Sequence, residues 1–398
     1  MTNLRIGRRA ALAGGVAVLA SPAVARAQAD PIKLATLTPL TGAGGSYGPS
    51  MAKVAATVVE GVNKAGGVNG RRVVLVSEDD QTSPEAAVRA ARKLIDVDKV
   101  SAIMGTWASS VTTAVAPLCW ESKTFLCTVS GADSITLLPH QGFLVRTQPN
   151  SKLQVTRVGE FILSLGAKKV FTMIPQTPFT QSTFDILNAV LPKSGATHQS
   201  LIYDDKKTTY RTEVDQALRT SPDVILANGY TPDTVVLLKD LYRAGFKGKI
   251  LGFAYSINQK LVDQVGQNEV VEGVYTFAPA SAEDSTAYDK VKAAVGSSNP
   301  DPYTSQVYDH INMVLMSMAI ARDSSGVAIK DNIRKVTQGG GKTVDNAVDG
   351  IKAITAGEKI DYTGASGPCD FDERGDIVDC KFRYEQIKAG KFTVVKIA

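Results

Sequence analysis

Between residues 101 and 134 the chain places hydroxyls and small residues directly after apolar runs, where helices or turns must begin. SAIMGT (101–106) reads as a buried strand, Trp107-Ala108-Ser109-Ser110 follows it, and the helical run VTTAVAPL comes next. A second apolar strand over 125–129 then enters another small polar turn, Ser130-Gly131-Ala132-Asp133-Ser134. A helix start offers unpaired N–H groups and the positive end of its dipole, and flanking hydroxyls add donors. Two such starts on neighbouring strands build a pocket for something anionic. The candidate donors are Ser109, Ser110 and the backbone N–H groups from Ser130 to Ala132.

Other chemistry is poorly provided for. His140, His198 and His310 lie far apart in the chain, and none has metal-ligand spacing. No GxSxG, CxxC or HExxH occurs, and no base stands near Ser109-Ser110 in the sequence. Gln338-Gly339-Gly340-Gly341-Lys342-Thr343 ends like a phosphate loop, but Val336 stands where the first glycine belongs, and a helix precedes it. The loop 41–48 (TGAGGSYG) follows the first strand but carries Tyr47 at the third glycine of GxGxxG, which argues against a dinucleotide. Its glycines instead let backbone approach a ligand, with Tyr47 opening the helix that faces it. An enzyme is not expected, nor any metal or cofactor.

The first 27 residues read as an export signal. Arg8-Arg9 precede a weakly apolar, Gly- and Ala-rich stretch, and Ala25-Arg26-Ala27 fits a cleavage site, with Ala27-Gln28-Ala29 a close second. The paired arginines favour the twin-arginine kind. As a membrane anchor the apolar run is too short and too weak. This segment holds four of the 44 basic residues and none of the 39 acidic ones, leaving 40 against 39 in the mature chain. Near-neutrality argues against nucleic acid as a partner, which needs a clustered basic face. Cys369 and Cys380 flank DFDERGDIVD, whose ERGD reads as a hairpin turn, and in an exported protein a disulfide across it is expected. Cys119 and Cys127 could bridge or remain two buried thiols.

The elements that must position the anion site alternate strand and helix almost to residue 280. Strands are expected at 32–37, 73–78, 101–106, 125–129, 143–147, 169–174, 199–203, 223–228, 249–253 and 273–277. They are Val/Ile/Leu runs rather than alternations, as a parallel sheet covered on both faces requires. Amphipathic helices lie between them, for example over 46–64, 84–96, 153–165 and 233–244. The pattern changes near 148–151 and 278–282, is mostly helical to 357, and ends with the cysteine hairpin and a strand over 392–397. The expected fold is α/β, two Rossmann-like doubly wound lobes. Residues 31–149 with 280–358 would form the first, 150–279 with 359–398 the second. Ligands of such sheets sit beyond the carboxyl ends of the strands, hence in the cleft between the lobes.

From residue 32 to 398 the chain resembles the periplasmic leucine/isoleucine/valine-binding proteins of ATP-binding-cassette importers. The likeness is carried by IKLATLTPLTGAGGSYG, NKAGGVNGRRVVLVSEDD, MGTWASSVT, the SGADS turn, VILANGYTPDTVVLLKDLYRAGFKG and GPCDFDERGD. It implies three crossovers between the lobes, closure on a small ligand, a periplasmic location and docking on an inner-membrane permease; a monomer is expected. It also implies roles. Ser109 or Ser110 holds the ligand carboxylate, and Tyr47 and Tyr230 match two tyrosines that line the cleft. A third family tyrosine is Phe179 in this chain. Two departures bear on the ligand. Ala254 stands where the amino-acid binders have a glutamate, and Ala132 where they have a threonine, with Asp133 adjacent.

Without a partner a buried ammonium costs several kcal/mol, whereas each charge-assisted bond to a carboxylate returns only ~1.5–3 kcal/mol. Tyr47, Trp107, Phe179, Tyr230, Phe253 and Tyr255 all map near the cleft, about half of them expected to be plain core. The expected ligand is therefore a small carboxylate without an amine, an aromatic acid of the hydroxybenzoate or cinnamate kind. The alternatives are a branched-chain or other aliphatic amino acid whose ammonium meets Asp133, and a sensory module on the same fold.

Overall fold

The computed structural model describes residues 30–398; the export signal expected over residues 1–27 lies outside the described residues. Five parallel strands form the first sheet: β1 (Ile32–Thr38), β2 (Val73–Asp79), β3 (Ala102–Thr106), β4 (Phe125–Thr128) and β5 (Leu144–Arg146), in the order β2-β1-β3-β4-β5. The second sheet begins with five more parallel strands, β6 (Lys169–Pro175), β7 (Thr197–Tyr203), β8 (Val224–Ala227), β9 (Lys249–Phe253) and β10 (Tyr275–Pro279). A small sheet follows in β11 (Lys342–Val344), β12 (Ile360–Gly364) and β13 (Gly367–Pro368). The chain ends in β14 (Phe382–Lys388) and β15 (Lys391–Ile397), which extend the second sheet antiparallel beyond β10. All eleven expected strands form, the last as β15, within a residue or two of the sequence reading.

Helices α1 (Gly48–Lys64), α2 (Pro84–Arg92) and α3 (Ser109–Glu121) cross the first sheet. Crossing the second are α4 (Ser151–Ser164), α5 (Pro178–Val190), α6 (Arg211–Leu218), α7 (Thr231–Arg243), α8 (Gln259–Val265) and α9 (Asn268–Val271). The helical return comprises α10 (Thr286–Val295), α11 (Pro302–Ala321), α12 (Gly326–Thr337) and α13 (Ala347–Thr355). Of these α11 is buried along nearly its whole length, under β3, α1, α12 and α13. β1, β3, β4 and β8 are buried almost throughout, which is why their sequences are continuous apolar runs.

In each sheet the strand order reverses once, between β1 and β3 and between β6 and β8. Crevices of doubly wound sheets open at such points, beyond the carboxyl ends of the strands. The starts of α3, α5 and α7 follow β3, β6 and β8 at those ends.

Two expectations need correction. Residues 359–398 do not all join the second lobe. β12 pairs with β11 and packs on α12, and Asp376 bridges to Arg146 at the end of β5, so only β14 and β15 enter the second sheet. The Cys369–Cys380 disulfide is also not formed, and all four cysteines are free thiols. Phe371 pairs antiparallel with Ile377, and Val378 N–H donates to Asp370 O at 3.0 Å, which sets Cys369 opposite Asp379 rather than Cys380. An offset of one residue turns a side chain to the other face of a strand. The Cys380 Sγ–H instead donates to Lys381 O at 3.0 Å, while Cys369 is buried near Asp309. Cys119 and Cys127 are likewise buried, and burial pushes the Cys119 thiol up to about 12.

Candidate functional site

Beyond the strand ends of both sheets lies a pocket lined from both lobes. Of the residues expected at the site, Trp107, Ser109, Ser110, Phe179, Tyr230 and Tyr255 line it. Among the described residues its lining carries no Asp, Glu, Lys, Arg or His.

The first lobe contributes donors. α3 begins at Ser109 behind Ala108, with no side chain capping its N–H groups; the first intrahelical bond is donated by Thr112 to Ala108 O at 3.0 Å. The N–H groups of Ser109 and Ser110 therefore stand free at the positive end of the helix. Ser109 Oγ accepts from Ala132 N–H at 3.2 Å, which leaves its own proton available. In the following turn Ser130 points away: its hydroxyl sits 2.6 Å from Thr112 Oγ1 and donates to Trp107 O at 2.8 Å, and its N–H donates to Thr128 Oγ1 at 3.1 Å. Thus Ser130 and Ala132 shape the turn with N–H groups already used, and Gly131 is the turn residue that lines the pocket. Asp133 does not line it either. Its Oδ1 accepts from Lys152 N–H at 3.1 Å at the start of α4, and burial raises its carboxyl.

A row of glutamines runs from α11 of the first lobe through the lobe crossing to α4 of the second. Gln306 Nε2 donates to Gln148 Oε1 at 2.8 Å, Gln148 Nε2 donates to Gln154 Oε1 at 3.0 Å, and Gln154 Nε2 donates to Pro149 O. Both oxygens of the two lining amides, Gln148 and Gln154, are thereby occupied. Each keeps a spare N–H.

The second lobe also supplies rings and the amide of Asn228. Trp107 from the first lobe sits 5.7 Å from Tyr230 and 6.1 Å from Tyr255, and Tyr303 of α11 stands edge-on to Trp107 at 5.8 Å. Phe179 lies edge-on to Tyr255 at 5.9 Å. Phe253 is one layer behind, 5.3 Å from Phe179 and stacked on Tyr255 at 5.8 Å. Burial, then the Asp205, Asp80 and Asp233 charges, push the Tyr230 phenol up to about 12, and burial holds Tyr255 well above its usual range. The phenols are therefore neutral at physiological pH, so the walls are polar without charge. Asp80, whose charge acts on Tyr230, is fully buried with Oδ2 unpaired, and desolvation pushes its carboxyl up to about 7.

Tyr47 and Ala254 join the lobes rather than line the pocket. The Tyr47 hydroxyl donates to Ala254 O at 3.2 Å and accepts from Asn258 Nδ2 at 2.7 Å. At a second point of contact a Cβ on Gly131 would lie 2.8 Å from Phe179 Cε2, so only glycine allows that approach.

Sequence reasoning missed Gln148, Gln154, Asn228 and Tyr303. Asn228 follows β8 directly, where strand-end logic could have found it; Gln154 and Tyr303 sit in first turns whose caps, Asn150 and Asp301, mark a helix start but not a pocket.

The model of the periplasmic binding protein family matches residues 31–390, and the chain belongs to that family. It is 24% identical over 376 residues to the Leu/Ile/Val-binding protein homolog 3 of Brucella melitensis, covering 93% of this chain and 95% of that one. The leucine-binding protein LivK of Thermotoga maritima superposes with a TM-score of 0.78 at 22% identity, covering 92% of this chain and 98% of that one. A solute-binding protein of an ABC transporter from R. palustris, solved in complex with 4-hydroxybenzoate, gives 0.75 at 16% identity, covering 93% and 97%. These superpositions are of type I periplasmic binding proteins, and the fold is theirs.

Proposed function

We propose that this chain is the exported solute receptor of an ABC importer and binds a small carboxylate lacking an amine, an aromatic acid of the hydroxybenzoate or cinnamate kind. One observation carries the reading: the pocket offers N–H and O–H donors on an uncharged wall, with no acid to receive an ammonium. Ser109, Ser110 and the Gly131 N–H would hold the carboxylate; Trp107, Phe179, Tyr230 and Tyr255 would clasp the ring. An amino acid would leave its ammonium unpaired, a loss of several kcal/mol that donor bonds of ~1.5–3 kcal/mol each do not readily recover. The receptor acts without catalysis. It is expected to lose its twin-arginine signal on export to the periplasm, to work as a monomer and to deliver ligand to an inner-membrane permease.

A branched-chain amino acid is the second reading, favoured by the Brucella relative's binding class. Calorimetry with benzoate, 4-hydroxybenzoate, cinnamate, leucine and valine separates the two. Tight binding of a ring acid is the expected result; tight leucine or valine binding with silence from the acids would overturn it.

A further inference from the structure

The pocket has a polar group at its far side that the carboxylate does not explain. Asn228 follows β8, is 1% exposed and lines the pocket. Its Oδ1 accepts from Phe253 N–H at 3.4 Å and lies 3.2 Å from the Ser256 hydroxyl, which donates to Gly229 O. Turning the amide over would set Nδ2 against the Phe253 N–H, so the orientation is fixed. Nδ2 is then fully buried with no hydrogen-bond partner. The Tyr255 hydroxyl, which also lines the pocket, is beside the Asn228 amide.

Buried donors are seldom left unpaired, because the lost hydration is not returned. A donor held open by its own carbonyl's bond is therefore placed for something that enters the pocket. It stands on the second lobe, whereas Ser109, Ser110 and Gly131 stand on the first. An acceptor at each end of one ligand would tie the two walls together across the ring slot.

We infer that Asn228 is a specificity residue that selects aromatic carboxylates bearing a hydroxyl or carbonyl oxygen at the end remote from the carboxylate, over the unsubstituted ring acid. The inference rests on the carboxylate reading and goes beyond it, by assigning the second anchor and the substituent it demands.

Calorimetry of the mature protein with benzoate and 4-hydroxybenzoate tests it. Wild type should bind 4-hydroxybenzoate roughly tenfold or more tighter, the return on pairing one buried donor. In Asn228→Leu the affinity ratio should fall to near one. Since that change also strands the Phe253 N–H, 4-formylbenzoate, whose carbonyl can only accept, is measured beside it on wild type. It should share the advantage of 4-hydroxybenzoate over benzoate and lose it in Asn228→Leu. Equal affinity of wild type for the two acids, or a ratio undiminished in a variant whose melt shows it folded, overturns the inference and leaves the carboxylate reading standing. Failure of wild type to bind either acid overturns both.

Discussion

Two buried polar regions share the turn at residues 130–132 and use it in opposite ways. On one side, Arg146 Nη1 takes the carbonyls of Ala132 at 2.7 Å and Ser130 at 3.4 Å, Nη2 reaches Thr136 Oγ1 at 3.1 Å, and Nε pairs with Asp376. The Gly131 carbonyl is also drawn away, accepting from Ser151 N–H and Oγ, both at 2.8 Å. On the other side, Gly131 faces the pocket among donors that no protein acceptor meets. A charge fully paired by its own chain stabilises the fold. An uncharged wall with donors left over is instead fitted to a guest that brings acceptors. Because the carbonyls are pulled toward Arg146, the turn presents its N–H side to the cleft, so the structural region orients the binding one.

The largest expected effect lies on the structural side. Removing the carboxylate in Asp376→Ala strands a guanidinium whose side chain is wholly buried, and should cost ~3–5 kcal/mol of stability by denaturant titration. Burial alone would raise the Asp376 carboxyl, but the Arg146 hydrogen bond and charge, with Asn150 and Thr136, hold it below the usual range. A depressed carboxyl contributes stability above its unfolded value near 4, and that contribution is lost as pH falls through the folded value. Wild type should thus lose an increment of stability on acidification that the variant lacks. A variant as stable as wild type would show that the two regions do not differ as argued.

Next come changes on the open side. Ser109→Ala should weaken binding of a ring acid by ~1.5–3 kcal/mol in calorimetry while moving the melt little, since its hydroxyl ties only Ala132 N–H within the protein. Unchanged affinity would remove Ser109 from the anion site. Gly131→Ala tests the same wall by bulk. Its new Cβ would fall 2.8 Å from Phe179 and 3.0 Å from Gln154 Nε2, on opposing walls that must meet. Overpacking of that kind costs ~1–3 kcal/mol, and here it should appear in ligand affinity more than in stability. Equal affinities would mean that the lobes need not approach so closely when loaded.

How much of this was legible in the sequence follows the same division. Strands buried on both faces announce themselves as apolar runs, so both sheets could be traced before any coordinates. β14 escaped because Arg383, Glu385 and Lys388 interrupt its apolar positions, and its pairing with β10 is supplied from far along the chain. Site residues that follow a strand directly, such as Trp107, Ser109 and Tyr230, were readable. Gln148, Gln154 and Tyr303 reach the pocket from the lobe crossing and from helix first turns, where position depends on how the lobes meet. The cysteine pairing failed through a register offset of one residue, which composition cannot reveal.

The smallest effect concerns the seam between the lobes. Tyr47 spans it with two hydrogen bonds, to Ala254 O and from Asn258 Nδ2, and its ring packs on Trp107 at 5.5 Å and Tyr303 at 5.2 Å. Tyr47→Phe keeps the packing and deletes only the hydroxyl. If those bonds form on closure, the loss of ~0.5–1.5 kcal/mol should appear as faster ligand release, because the open state never had them to lose. Stopped-flow dissociation would separate this from damage to the anion wall, where Ser109→Ala removes a ligand contact and leaves the seam intact. An unchanged release rate in Tyr47→Phe would mean that the rings alone, not the hydroxyl, hold the two walls together.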